Sequence, residues 1–482
     1  MKTISHQRSS ALMIFIAWSI LVMTPTSAQE KLDRSKPPKA APPKDVKFPD
    51  YYETTLSNGL KLIVYQQSDL PTVSVSLVLR GGSIFDGASP GVASMTMDLL
   101  TKGTKSRNAT QIADEIDFLG GNLGAGANWD NSTVSLSILS KYLDKGMELL
   151  ADVALNPSFP EEELNRSREQ RLAALLQRKS SAPALASLQF NKAVFGNHPY
   201  GNSADGTETS IKELKRDALA QFHAQHFLPN NSFIVAVGDA TPEKMKALVE
   251  KLFGAWKKGS IMEKQFPEIR DVDRTKIQIV DRAGAVQSSI VIGHVGVERK
   301  NPDFIPLMVL NTMLGGYFGS RLNLNLREDK GYTYGARSSF DSRMYRGTFN
   351  MGAEVRNEVT DSSVTEFLSE LKRICKEPVP QDELDGVKSY LTGLFPIQIE
   401  TPSQVAMRIV SIELYALGKT YYNTYNSRIQ AVTAADISRV AKQYLHPDNL
   451  IIVCAGKAEL LKTTLASFGA VEIYNADGEK TN

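Results

Sequence analysis

A hydrolytic zinc site needs two imidazoles one helical turn apart and a carboxylate to take a proton from the bound water. In the stretch from Ser89 to Gly103 the chain sets Ser94 and Asp98 one turn apart on one helix face, with Met97 between them. A neutral hydroxyl is a poor zinc ligand, and a thioether cannot move a proton. His223 and His226 stand three residues apart on a helix, but no cysteine or carboxylate follows at ligand spacing, so both are expected to be exposed helix residues. His198, in Gly-Asn-His-Pro-Tyr-Gly, reads as a residue that stabilises a turn. Asp98 with Glu161, Glu162 and Glu163 is a conceivable carboxylate site for a cation, yet glutamates opening a helix are better explained by its positive end. Gly120 to Gly126 is followed by no Gly-Lys-Ser/Thr and is not a nucleotide loop. No nucleophile, base and orienting group fall at a persuasive spacing.

The elements that would position such residues come in two copies. Asn231 and Gly238, in a helix–turn–strand segment, recur as Asn449 and Gly456, both 218 residues further on. That offset places Ala441 and Tyr444 where the first copy has His223 and His226, so the histidines are not part of what is repeated. Each copy carries a helix, a Pro-Asn or Pro-Asp turn, an apolar strand ending in Gly, and another helix. Alternating strands (Leu60 to Tyr65, Thr72 to Leu79) mixed with amphipathic helices predict an α+β fold: two homologous sandwiches of sheet and helices made by internal duplication. The expected limits are 51–258 and 274–475, joined by a polar linker at 259–273 that holds Pro267 and many charges.

With 482 residues, 42% of them hydrophobic, the chain can bury an ample core, and a net charge of +2 spread along it carries no nucleic-acid footprint. Lys2 and Arg8 precede a 13-residue apolar run, Ala11 to Met23, and then Thr-Pro-Thr-Ser-Ala. A spanning helix needs about 20 residues, so the run reads as a secretory signal peptide over 1–28 with a cleavage site after Ala28, an uncleaved anchor being the alternative. The Lys- and Pro-rich segment 29–50 reads as a tether. Of the two cysteines, Cys454 lies in an apolar strand and reads as a small core residue; no bridge to Cys375 is expected.

The flanks of the Ser94–Asp98 segment, Gly91-Val-Ala before it and Leu99-Leu-Thr-Lys-Gly-Thr after it, resemble the metal-binding helix of the M16 zinc peptidases, the pitrilysin and mitochondrial processing peptidase family. Their inverted motif is H-x-x-E-H. In that register the first His falls on Ser94, the catalytic Glu on Met97 and the second His on Asp98. The family's third ligand, a glutamate on the next Glu/Arg-rich helix, falls on Ala174. A second M16 signature resembles the segment from Leu314-Gly-Gly-Tyr-Phe-Gly through Leu326-Arg-Glu-Asp-Lys-Gly-Tyr-Thr-Tyr334. Here the pattern is intact, and the family's substrate-clamping arginine and tyrosine map to Arg327 and Tyr334, seven residues apart. A guanidinium offers fixed donors for a peptide carbonyl, and a phenol can donate to a forming oxyanion. Further similar segments start at Gly120, Lys141, Asn156 and Phe195; the first leads, in the family, into an edge strand onto which peptide adds.

The resemblance implies a clam-like half-chamber whose first domain has lost its zinc site while the second keeps the Arg/Tyr clamp. On that basis the chain is expected to hold no cofactor of its own and to be inactive alone. It would serve as the zinc-less subunit of an exported, most simply periplasmic, M16B-type peptidase, with zinc in a partner M16 chain and Tyr334 stabilising the transition state in trans. A peptide or unfolded polypeptide is the expected substrate. The alternative is a peptide-binding or scaffold pseudoenzyme of the same fold that takes part in no proteolysis.

Overall fold

A computed structural model describes residues 47–261 and 263–481. The expected signal peptide, and the tether up to residue 46, lie outside the described residues. The first sheet runs in the order β1 (Tyr52–Thr55), β2 (Lys61–Gln66), β6 (Ser232–Gly238), β3 (Thr72–Arg80), β5 (Asn131–Leu139), β4 (Asn122–Ala127). The second runs β12 (Val471–Tyr474), β7 (Lys276–Asp281), β11 (Ile451–Gly456), β8 (Gln287–Val295), β10 (Thr348–Arg356), β9 (Thr333–Asp341). The duplication is visible strand for strand: β2 and β6 are parallel, as are β7 and β11, and the remaining inner pairs are antiparallel. Only the outermost position differs, where β1 pairs antiparallel and β12 parallel.

The central strands are buried on both faces, which is why β6 and β11 read as unbroken apolar runs. Side chains alternate across a strand, and here the two faces feed different cores. Ile234 and Ala236 join the core beneath the first domain's own helices, whereas Phe233, Val235 and Val237 face a core shared with the second domain. The covering layer on that far face is a helix exchanged between the domains. The helix Pro402–Leu414, from the second half, packs on β3 and β6; the helix Ala182–Phe195, from the first half, packs on β8 and β11. Both start on a hydroxyl cap, Thr401 accepting from the Gln404 N–H and Ser181 from the Ala184 N–H, and both carry proline in the first turn.

Polar contacts follow the exchange. Glu413, near the end of its helix, reaches Lys61 at 2.8 Å and Arg80 at 2.5 Å on the first sheet. Gln189 donates to the Gln278 side chain at 2.9 Å in the reciprocal interface. The described residues between Gly254 and Thr275 form no helix or strand, and Phe48, inside the stretch read as tether, is buried against Tyr422. Cys454 is fully buried and Cys375 partly so, and both are free thiols.

Candidate functional site

The helix carrying Ser94, Met97 and Asp98, α1 (Val92–Leu100), begins where Gly91 takes a positive φ of 92°. Both carboxylate oxygens of Asp86 accept from this end, one from the Gly91 N–H at 2.7 Å and one from the Ala93 N–H at 3.0 Å. Burial nevertheless pushes the Asp86 carboxyl up to about 7. The sequence reading missed this cap, which lies five residues before Gly91.

The four positions that the M16 resemblance maps onto a zinc site have unlike surroundings. Ser94 is buried, and Met97 is fully enclosed among the apolar side chains of the first core. Ala174 is exposed on α2 (Glu161–Arg178). Asp98 is engaged elsewhere: its carboxylate accepts from the guanidinium of Arg171, one turn before Ala174 on α2. Arg171 also donates to Asp205, which in turn accepts from Arg178 at 3.3 Å. A fixed cation therefore joins α1 to α2. Two imidazoles and two carboxylates are missing, and a dication placed here would meet the guanidinium, so these residues do not fit zinc. Glu161, Glu162 and Glu163 open α2 as a first-turn acidic run. Among the described residues no three His, Cys, Asp or Glu side chains cluster as metal ligands.

The histidines differ from expectation. His226 is buried between Phe222 and Phe85, and the His223 Nε2 lies 2.8 Å from the Ala154 carbonyl oxygen. Their helix, Arg216–His226, packs against α1, so its inner face cannot be solvated. His198 does hold a turn: its Nδ1 accepts from the Tyr200 N–H at 3.2 Å.

Arg327 and Tyr334 line one cleft of about 260 Å³ in the second domain. Two π-helical turns, Thr312–Gly316 and Leu324–Asp329, shape its wall. Gly315 passes so close under β9 that a Cβ there would lie 2.3 Å from the Ser338 nitrogen, which excludes any other residue. Asn323 ties the wall together, donating to the Phe318 carbonyl at 2.7 Å and accepting from the Ala336 N–H at 3.3 Å. The Arg327 guanidinium lies over the Phe318 ring at 4.6 Å and 3.2 Å from Glu328. Exposed ion pairs of that kind hold little energy, whereas the ring fixes the guanidinium plane.

Tyr334 owes its direction to a bulge. Ala336 pairs with Ala353 and Thr333 with Val355, so Tyr334 and Gly335 together oppose Glu354 alone. A bulge re-aims side chains, and Tyr334 stands 92% exposed. Phe318 and Asn323 were not singled out from the sequence, although both lie inside the glycine-rich segment that marked the site. In the first domain, β4 is an edge strand and lies against α1.

Comparison with known proteins agrees with this architecture. Residues 62–208 match the insulinase (peptidase family M16) domain and residues 213–391 the peptidase M16 inactive domain. The chain is 26% identical to the Helicobacter pylori protein "Non-peptidase homolog YmxG" over 80% of its length and 90% of the relative's. It is 25% identical to an "Uncharacterized zinc protease" of Rickettsia bellii, over 80% of its own length and 93% of the relative's. Its fold superposes on a peptidase M16 inactive domain from Pseudomonas fluorescens with a TM-score of 0.81 at 28% identity, covering 85% of this chain and 98% of that one. Two sheets of one duplicated topology, matched by M16 domains through both halves, make this chain a member of peptidase family M16.

Proposed function

We propose that the chain is the zinc-less member of a two-chain M16 peptidase, exported to the periplasm by its N-terminal signal. It supplies Arg327 and Tyr334 to peptide held against a zinc-bearing M16 partner. The observation that carries this reading is the asymmetry between the two domains. One has an enclosed Met97 and an Asp98–Arg171 pair where ligands would stand, and the other has an open cleft on which Arg327 and the exposed Tyr334 converge. In the proposed complex the Arg327 guanidinium holds a substrate carbonyl, and the Tyr334 hydroxyl donates to the oxyanion that develops on the scissile carbonyl. The hydrolytic metal belongs to the partner, and this chain binds none.

The test is reconstitution. The purified chain should contain no stoichiometric zinc and cleave no peptide, form a complex with an M16 chain that carries an intact H-x-x-E-H, and raise that chain's peptidase rate. A tightly held zinc in this chain alone would overturn the assignment. The Helicobacter pylori relative's name favours a second reading, a non-proteolytic scaffold; complex formation with no change in rate would select it.

A further inference from the structure

The cleft that holds Arg327 and Tyr334 contains a second guanidinium. Arg337 lies three residues beyond Tyr334 on β9, lines the same cleft, and is exposed. Its side chain has no ion pair and no hydrogen bond among the described residues, unlike Arg321 and Arg343 nearby, which are clasped by Glu383 and Asp341. No carboxylate lines the cleft. Glu328 sits beside Arg327 at 3.2 Å, and Glu354 occupies the strand opposite the bulge; neither is bonded to Arg337. An unpaired arginine fork at a glycine-walled cleft is poised for a planar, bidentate anion. The edge position of β9 leaves that fork open to a chain lying along it.

We infer that Arg337 is a specificity residue that selects a carboxylate on the bound peptide, so that the cleft takes acidic segments in preference to neutral or basic ones. Arg327 holds the backbone and Arg337 reads the side chain. The inference rests on the clamp reading above and adds the substrate class to it. The carboxylate can come from an internal Asp or Glu, or from a free C-terminus, and the two sources are separable by experiment.

The experiment is a binding titration of the full chain with short labelled extended peptides, by fluorescence anisotropy. One series is C-terminally amidated with Glu or Gln at each successive position; a parallel series has a free C-terminus. The Glu peptide in the best register should bind about five- to tenfold more tightly than its Gln counterpart, the scale of one partly exposed charge-assisted contact. Arg337→Gln should erase that preference while leaving the Gln peptide within about twofold of its affinity for the parent, since only the charged contact is lost. Arg270→Gln, which removes an exposed charge in the segment between the domains, should preserve it. A preference that shows only with the free C-terminus and vanishes in Arg337→Gln assigns the terminal carboxylate as the source. Equal binding of Glu and Gln peptides that Arg327→Ala abolishes would overturn the Arg337 assignment and leave the clamp standing, as would a preference that survives Arg337→Gln. Failure of every peptide to bind would overturn both.

Discussion

Arg171 stands one turn from Ala174 and holds Asp98, so at the level of single residues a protein cation stands among the positions that the M16 resemblance maps onto a zinc site. Restoring the motif with Ser94→His, Met97→Glu, Asp98→His and Ala174→Glu therefore removes a carboxylate from Arg171 and leaves its charge next to any metal. That variant should bind zinc weakly, and adding Arg171→Ala should tighten binding about tenfold or more, because the guanidinium's repulsion of a dication is then gone. Chelator competition measures it; equal affinities would remove Arg171 from the account. Met97→Glu alone should destabilise the fold by about 2 kcal/mol or more, since it buries a carboxyl among apolar groups. The positions Ser94, Met97, Asp98 and Ala174 came from the M16 resemblance of the flanking sequence, and the burial of Met97 and the pairing of Asp98 are what the structure adds to them. Arg171 was not legible, because nothing in a helix rich in Glu and Arg marks which arginine turns inward.

Among the elements, the exchanged helices hold the two halves together. Pro402, Val405, Ala406, Ile409 and Ile412 form the buried stripe of the helix laid on β3 and β6, while Glu413 adds the ion pairs to Lys61 and Arg80. The magnitudes decide which matters more. Ile409→Ala should cost about 2–5 kcal/mol, and Glu413→Gln, with partly exposed partners, about 1 kcal/mol. Urea unfolding of the two variants checks the order; a larger loss in Glu413→Gln would mean that the ion pairs dominate. The repeat itself was readable because Asn231 and Gly238 have counterparts at a constant offset. The exchange was not, since an amphipathic helix shows that it has an apolar face but not which sheet that face meets. The same limit explains His226: period and spacing placed it on a helix, and only the packing against α1 made it a buried residue. The bulge that turns Tyr334 outward needs two strands to exist and has no signature in one.

Across the whole molecule, buried titratable groups set an expected pH profile. Burial holds His198, His226 and His294 at about 4, well below the usual histidine range, so the folded state keeps them neutral. The unfolded chain takes up protons near 6.5, and stability should fall as pH drops from about 6.5 toward about 4. Asp86, raised to about 7, acts in the opposite sense: the folded state holds its proton longer, which favours folding as pH falls through that value. Three histidines outweigh one aspartate, so the melting temperature should decline below about pH 6. Replacing His294 with Phe should flatten the acid limb, and a profile unchanged from pH 7 to pH 4.5 would contradict the burial of these groups.

Also at the scale of the assembly, the central claim is that this chain contributes chemistry to a site completed by another. Steady-state kinetics of the reconstituted pair test it most directly. Tyr334→Phe removes a donor to developing charge and should lower kcat by about 10²–10³ with little change in KM, whereas Arg327→Ala, which loosens the peptide, should raise KM more than it lowers kcat. Parent rates from both variants, in complexes that still assemble, would contradict the account.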